Sequence, residues 1–385
     1  MKDYVQNPKV MIIANAPFTI TNFRSELIRS LLDSGSEVVV VCPESCDLSV
    51  EDDVANIFRS IGATFRPINF ERSGINPLSD ALLLLRLIQL IKKERPNIVL
   101  NYTIKATIYG SVAAYLCKVG KIASNITGLG YAFTSKGLRA RIIQIIVSVQ
   151  YTIALKFNDV VFFQNIDDLL LFEQKGLITD LSKTKILSGS GVNLDVFSPD
   201  NSIKKIPQSF IFVGRLLKDK GVIEFIEAAK KIKKEYPTAY FRLVGALDDN
   251  PACISKKFLD EVVSEGVLEY ISPTPNVLTY LRESEVFVLP SYREGTPKSV
   301  LEAMATGLPI ITTDAPGCRE TVVDRCNGFL VNINDIDSLY GAMRSLINDK
   351  DLRSRMGKAS LERARTIYDV HKVNQSILES LIDLT

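Results

Sequence analysis

Residues 286–307 read VFVLPSYREGTPKSVLEAMATG, which joins an apolar run to a short polar loop and a helical pattern. The apolar run at 286–290 predicts a buried β-strand. Thr296 is a suitable N-cap and Pro297 suits a first helical position, so the pattern predicts a helix that begins at Pro297. A strand that leads through a tight loop into a helix is the repeating unit of parallel α/β sheets.

The start of this helix has the composition of a site for a phosphorylated, hydroxyl-rich ligand. The backbone amides of Lys298 and Ser299 would point out of the helix N-terminus, where anions bind. Glu294 lies in the loop before them and Glu302 on the second helical turn, and either carboxylate can accept hydrogen bonds from a diol. The pattern suits a nucleotide-diphosphate sugar. A capped helix with two surface glutamates fits the same residues.

A second polar group follows the apolar run at 209–216. Gly214 permits close approach of the backbone to a ligand, while Arg215 and Lys220 bring two cations to the same strand end. A planar guanidinium fork and a mobile ammonium group suit a diphosphate. An ordinary surface turn is the alternative interpretation of these residues.

Apolar runs alternate with helical patterns along the whole chain of 385 residues, with six such runs in each half. This alternation predicts an α/β protein with two Rossmann-like, doubly wound parallel sheets. We expect a first domain at 1–190, a second at 205–365, and a C-terminal helix at 366–385 that packs back on the first. Because ligands bind at the carboxyl ends of such strands, the expected site is a cleft between two facing domains.

The two glutamates separated by seven residues, with the Gly-Arg and Lys-Gly pairs upstream, resemble the signature of the family 4 (group 1) retaining glycosyltransferases. That family has the GT-B fold. The resemblance implies that Glu294 contacts the transferred sugar, Glu302 contacts the ribose, and Arg215 and Lys220 hold the donor diphosphate. Donor contacts are also implied for Gly214, Thr296, Pro297, Lys298 and Ser299. It further implies retention of configuration without a protein base, a cofactor or a catalytic metal.

The first half resembles, more narrowly, bacterial enzymes that extend polyprenyl-diphosphate-linked saccharides, several of which transfer N-acetylhexosamines. The residues that carry this likeness are Asn22, Arg24, Lys105 and Gly128, together with 316–320 in the second half. Residues 17–24 are expected to form a loop that faces the acceptor. Arg24 and Lys105 are candidate partners of an acceptor diphosphate, and surface cations are the alternative. The implied reaction moves a hexose or N-acetylhexosamine, from a UDP-sugar, in polysaccharide, O-antigen or capsule synthesis.

Charge is distributed unevenly, although the net charge is only +2. Residues 86–156 contain eleven basic side chains and one acid, Glu94. With the apolar segment at 142–155, this predicts peripheral attachment to an anionic membrane, on the cytoplasmic side. No signal peptide or spanning segment is predicted, the six cysteines are expected to be reduced, and nucleic acid is not an expected partner.

Two other functions share this architecture. One is a sugar-nucleotide epimerase, which the single histidine, His371, disfavours because such enzymes use histidines in the cleft. The other is a non-catalytic sugar-nucleotide-binding subunit, against which the complete set of Arg215, Lys220, Glu294 and Glu302 argues. A nicotinamide oxidoreductase is poorly supported, since no Gly-x-Gly-x-x-Gly follows the first strand.

Overall fold

The chain divides into two units, Met1–Ser190 with His371–Thr385, and Gly191–Val370. The computed structural model describes residues 7–44, 54–69, 76–128, 137–248 and 250–382. Each unit is built on one parallel sheet, which confirms the predicted α/β class.

The first unit contains seven parallel strands in the order β3-β2-β1-β4-β5-β6-β7. The strands are β1 Lys9–Ile13, β2 Glu37–Cys42, β3 Thr64–Pro67, β4 Ile98–Tyr102, β5 Lys121–Ile126, β6 Val160–Phe163 and β7 Thr184–Ile186. Its helices are α1 Pro17–Thr21, α2 Ser25–Asp33, α3 Val54–Ser60, α4 Pro77–Glu94, α5 Ser111–Leu116, α6 Leu138–Lys156, α7 Ile166–Gln174 and α14 Val370–Leu381. β7 was missed by the sequence pattern because three half-exposed residues carry no apolar run.

Helix α14 belongs to the core of the first unit, although it follows the whole second unit in sequence. Val373, Ile377 and Leu381 are buried with the side chains of β1, β2 and β4. The Asn374 side chain also donates a hydrogen bond to Ser30 Oγ at 3.3 Å. Helix α14 therefore covers one face of the sheet in the first unit.

The second unit contains six parallel strands in the order β10-β9-β8-β11-β12-β13. They are β8 Ser209–Val213, β9 Tyr240–Val244, β10 Glu269–Ile271, β11 Val286–Leu289, β12 Ile310–Thr313 and β13 Gly328–Val331. The helices are α8 Val222–Glu235, α9 Lys256–Ser264, α10 Val277–Glu283, α11 Lys298–Ala305, α12 Ile336–Asn348 and α13 Lys350–Ile367. β11 and β12 are fully buried, as expected for strands covered on both faces.

The order of strands reverses between β1 and β4 in the first sheet and between β8 and β11 in the second. Open α/β sheets bind ligands at such reversals, outside the carboxyl ends of the strands. The polar residues identified in the sequence follow these strands, so the topology predicts a ligand site at the same loops.

The prediction of a loop at 17–24 was wrong in part. Pro17–Thr21 forms the short helix α1, with Pro17 at its first position, and Asn22 ends it by donating its amide to the Phe18 carbonyl. Arg24 then precedes α2. Because proline has no free amide and a fixed φ, it is compatible with a first helical turn, and a short helix forms here in place of the expected loop.

Candidate functional site

Three loops of the second unit meet at the carboxyl ends of β8, β11 and β12. The Tyr292 amide donates to the Asp219 carbonyl at 2.8 Å, which joins the loop after β11 to the turn after β8. The Glu294 amide donates to the Pro316 carbonyl at 2.9 Å, which joins it to the loop after β12. The residues predicted to hold the donor are thus carried by loops that are bonded to one another.

Two glycines make these loop contacts possible. Gly221 has φ +74°, and a Cβ there would lie 2.1 Å from the Pro290 carbonyl oxygen. Gly317 has φ +80°, and a Cβ there would lie 2.2 Å from the Glu294 carbonyl oxygen. Any side chain at either position would separate the loops.

Gly214 differs from these two glycines. A Cβ at this position would meet Phe212 at 3.4 Å, an ordinary van der Waals contact. Packing within the described residues does not require a glycine here. The glycine is therefore available for close approach of a ligand to the backbone, as the sequence analysis proposed.

The predicted helix start was wrong by one residue. Helix α11 begins at Lys298, and its N-cap, Pro297, makes no side-chain capping hydrogen bond. Thr296 lies before the cap and is largely buried, and the Pro297 backbone that follows it is extended, with ψ 112°. Lys298 and Ser299 become the first two helical residues, whose amides have no acceptor within a helix. The expected anion-binding geometry is therefore kept.

Lys220 and Glu294, assigned to different parts of the donor, form an ion pair. Lys220 Nζ lies 2.5 Å from Glu294 Oε1, and the two side chains are 19% and 12% exposed. The pair links the turn after β8 to the loop after β11. Desolvation makes the pairing important, because either charge alone would be costly in this environment.

Arg215 is also paired, but at the surface. Its Nη1 lies 3.2 Å from Asp248 Oδ2, and the Arg215 side chain is 51% exposed. Such exposed pairs contribute little to stability, so the guanidinium remains available to a stronger anion such as a diphosphate.

Glu302 lies one helical turn from Lys298, and Lys298 Nζ is 3.5 Å from Glu302 Oε1. Burial raises the pKa of Glu302, and the Lys298 ammonium acts in the opposite direction. The oxygens of a buried carboxylate can still accept hydrogen bonds, so a diol can replace the water that the carboxylate lost on burial.

Tyr292 and Glu224 are two residues that sequence reasoning missed. The Tyr292 hydroxyl donates to Glu224 Oε1 at 2.5 Å, and Glu224 on α8 is 5% exposed. Burial, followed by Glu224, raises the pKa of Tyr292. This bond attaches the loop after β11 to α8. A glutamate at an inward helical position was the available signal, because buried glutamates require partners.

In the first unit, the structure distinguishes the two candidate cations. Lys105 Nζ lies 2.8 Å from Asp80 Oδ1, with both side chains at least 85% buried, so its charge is already neutralised. Arg24 is 3% exposed and has no carboxylate partner in the described part of the chain. Gly128 has φ 141° and is the last residue described before 137. Residues 129–136 lie outside the described residues, and they include Lys136, one of the basic side chains on which the membrane prediction is based.

Three further properties concern membranes, thiols and metal ions. Within the described ranges, no helix is both long and apolar enough to cross a bilayer. The five cysteines in those ranges form no disulfide. The same part of the chain contains no cluster of His, Cys, Asp and Glu side chains that could hold a metal ion.

Comparisons with known proteins place this chain beside glycosyltransferases. Residues 195–363 match the family described as glycosyl transferases group 1, and residues 9–165 match the family described as glycosyl transferase 4-like. The chain is 27% identical to the N,N'-diacetylbacillosaminyl-diphospho-undecaprenol α-1,3-N-acetylgalactosaminyltransferase of Campylobacter jejuni, over 96% of this chain and 97% of that protein. It is 28% identical to the UDP-Gal:α-D-GlcNAc-diphosphoundecaprenol α-1,3-galactosyltransferase of Escherichia coli, over 90% and 89% of the two chains.

A solved structure supports the fold independently. Anabaena HepE in complex with UDP and glucose superposes with a TM-score of 0.79 at 15% identity, and the match covers 98% of this chain and 100% of HepE. At this identity the likeness concerns the fold alone, and it confirms the GT-B class predicted from the sequence.

Proposed function

Because the chain belongs to the group 1 glycosyltransferases and is a hexosyltransferase of glycan synthesis, we propose that it transfers a hexose or N-acetylhexosamine from a UDP-sugar to a lipid-diphosphate-linked saccharide. The observation that carries the donor assignment is the joining of the three loops after β8, β11 and β12. They bring Lys220, Glu294 and the N-terminus of α11 together at a sheet reversal.

The proposed donor arrangement follows from the chemistry of each group. The amides of Lys298 and Ser299 and the guanidinium of Arg215 take the diphosphate. Glu302 accepts hydrogen bonds from the ribose, and Glu294 from the transferred sugar. Lys220 moves part of its interaction from Glu294 to the diphosphate when donor binds, which the short ion pair permits. A UDP donor is supported by the UDP-galactose in the name of the Escherichia coli relative and by the UDP bound to HepE.

In the proposed reaction, the bond between the sugar C1 and the diphosphate oxygen breaks as an acceptor hydroxyl oxygen bonds to C1. The proton of that hydroxyl passes to the departing phosphate oxygen, so no protein base is needed. Arg215, Lys220 and the helix amides stabilise the negative charge that grows on the leaving diphosphate. Such preorganised donors act through positioning and electrostatics.

Retention of configuration is supported by chemistry and by the relatives. Both relatives are named for α-1,3 linkages, and UDP-galactose carries an α bond at C1. An α product from an α donor retains the configuration. The acceptors named for both relatives are saccharides on undecaprenyl diphosphate, which supports an acceptor of the same class here.

A lipid-linked acceptor requires access to a membrane, and helix α6 supports peripheral attachment. Five apolar side chains on one face are between 38% and 59% exposed: Ile142, Ile145, Ile146, Val149 and Ile153. The helix contains no acid and has Arg141 and Lys156 exposed near its ends. An apolar stripe beside basic residues suits an anionic bilayer at the cytoplasmic face of the membrane.

Nucleotide release from a panel of UDP-, GDP- and ADP-sugars tests this function, with and without a membrane lipid extract. We expect release from one UDP-sugar that increases with extract and is accompanied by incorporation of sugar into lipid. Donor conversion without nucleotide release would instead identify an epimerase. Absence of turnover by folded protein with every donor and extract would favour a binding subunit.

A further inference from the structure

The strongest unassigned feature is a group of buried polar side chains in the first unit. Arg24 is 3% exposed, while Tyr102 and Asn125 are fully buried. The Arg24 guanidinium carbon lies 4.3 Å from the centre of the Tyr102 ring. Tyr102 and Asn125 are direct neighbours in the β4–β5 register, at the carboxyl ends of both strands. These three residues are called the Arg24 cluster below.

The Arg24 cluster has charge and hydrogen-bonding capacity that the protein does not use. The guanidinium makes one hydrogen bond, from Nη1 to the Phe23 carbonyl at 3.2 Å, and has no ion pair in the described part of the chain. Within the same ranges, Arg24 Nε has no hydrogen-bond partner, and the Tyr102 hydroxyl and the Asn125 amide interact with each other but form no hydrogen bond to a group outside the cluster. Buried polar groups are normally satisfied, so an unsatisfied group of this size indicates a missing partner.

The sign of that missing partner is negative. A desolvated guanidinium without a counter-anion is strongly unfavourable, and burial lowers the pKa of Arg24 for the same reason. Lys105, the other candidate cation, is neutralised by Asp80 and creates no such demand. The donors that remain in the cluster are the guanidinium, a phenol and an amide, which together suit phosphate oxygens.

The position of the cluster also fits a ligand site. Arg24 follows β1 and α1, and Tyr102 ends β4, so the two lie at the reversal of strand order in the first sheet. Thr103, the next residue, has φ +75° and a buried hydroxyl without a hydrogen bond in the described residues. A β-branched residue with positive φ is strained, and such strain concentrates at functional sites.

We infer that Arg24, Tyr102 and Asn125 form a phosphate subsite in the first unit that holds the diphosphate of the lipid-linked acceptor. The identity of the ligand in this assignment rests on the proposed function. The inference that an anion binds beside Arg24 is independent of it. Lys105 then acts through Asp80, as part of the framework, and does not contact the diphosphate.

Binding of inorganic pyrophosphate to the full chain tests the subsite directly. The donor site also suits diphosphates, so the measurement is made in a background with both donor-site cations removed, Arg215→Met with Lys220→Met, by the shift in Tm with pyrophosphate. We expect pyrophosphate to raise Tm in that background, and Arg24→Met to abolish the rise. Arg29→Met is the matched control, because Arg29 is an exposed cation on α2 that pairs with Glu26. A rise that persists with Arg24→Met, or no rise in the background itself, overturns the inference.

The unliganded stability of Arg24→Met gives a second readout that a structural arginine would not share. Removal of an uncompensated buried charge should leave Tm unchanged or higher, whereas loss of a structural arginine lowers it. Asn125→Asp tests the same point without removing Arg24, since it supplies an internal anion beside the cluster. We expect it to raise Tm and to abolish the response to pyrophosphate. A lower Tm with an intact response would contradict the subsite.

Transfer kinetics separate this inference from the proposed function. With a synthetic lipid-diphosphate acceptor, Arg24→Met should raise the acceptor KM by about ten- to a hundredfold, while the donor KM changes less than about twofold. An unchanged acceptor KM would reject the subsite while the transferase assignment stands. The protein could instead show a pyrophosphate response that depends on Arg24 but transfer nothing to this acceptor. That result would reject the acceptor as the ligand while the phosphate subsite stands.

Discussion

The ion pair between Lys220 and Glu294 allows the effect of one substitution on stability to be separated from its effect on turnover. Lys220→Ala removes a cation whose partner, Glu294, is only 12% exposed. Breaking a buried pair by removal of one partner costs about 3–5 kcal/mol, because the other charge remains desolvated. The residual exposure of both side chains places the expected loss near the lower end, at about 3 kcal/mol. Turnover should fall by about a hundredfold or more, as expected for loss of one group that stabilises the leaving diphosphate.

A double variant distinguishes these two effects. Lys220→Ala with Glu294→Gln removes both charges, so most of the lost stability should return, while turnover should stay low. Arg215→Ala is the matched comparison, because Arg215 has the same proposed role but its own side chain is 51% exposed. It should cost at most about 1 kcal/mol of stability and still reduce turnover by about a hundredfold. The free energies come from urea unfolding and the rates from nucleotide release under saturating donor.

Near-normal turnover in Lys220→Ala and Arg215→Ala would refute the assignment of both cations to the donor diphosphate. A stability loss of the same size in both variants would refute the contrast between a buried and an exposed pair.

Three further predictions concern the same molecule. Gly214→Ala should change the free energy of unfolding by no more than about 0.5 kcal/mol but should weaken donor binding. Gly317→Ala should destabilise the protein clearly, because Gly317 has a positive φ and lies close to a backbone carbonyl, whereas Gly214 does not. Urea unfolding measures the stability of each variant, and the donor KM measures donor binding. Burial raises the pKa of Glu302, so donor affinity should decline on acidification at a higher pH than for an ordinary glutamate, and Glu302→Gln should abolish this dependence in a pH profile of the donor KM. The pH dependence of protein stability that Glu302 causes has the opposite sign to that of donor affinity. The native state binds the Glu302 proton more tightly than the unfolded state, so the protein gains stability as pH falls through the raised pKa. A donor KM that does not depend on pH in the unchanged protein would contradict the role of Glu302. Ile145→Asp with Val149→Asp on the exposed face of α6 should abolish flotation with anionic liposomes, while Val263→Asp on α9, an exposed apolar residue of the second unit, should not.

The two sheets and most of their strands could be predicted because buried parallel strands are written as continuous apolar runs. β11 is an example, since all four of its residues are buried and apolar. β7 could not be predicted in this way, because its three residues pair only with β6 and are partly exposed. The start of α11 was displaced by one residue because the Pro297 backbone is extended, with ψ 112°, so that Pro297 is the N-cap and not the first helical residue.

The candidate donor residues could be located from the sequence, but their pairing could not. Spacing places Lys220 and Glu294 at two strand ends, and only the order β8-β11 brings those ends together. In the first unit, the sequence gives Arg24 and Lys105 equal standing as cations. The two cations differ because Lys105 forms an ion pair with Asp80. Asp80 lies on a separate helix, and its position in the sequence does not indicate that it contacts Lys105.

The most direct test of the proposed reaction is the product formed from the identified UDP-sugar and a synthetic saccharide on lipid diphosphate. Proton NMR of the purified product reports the configuration of the new bond. We expect a product that depends on the diphosphate of the acceptor and retains the α configuration of the donor. A product of inverted configuration, or equal transfer to the same saccharide without its diphosphate, would contradict the proposed reaction.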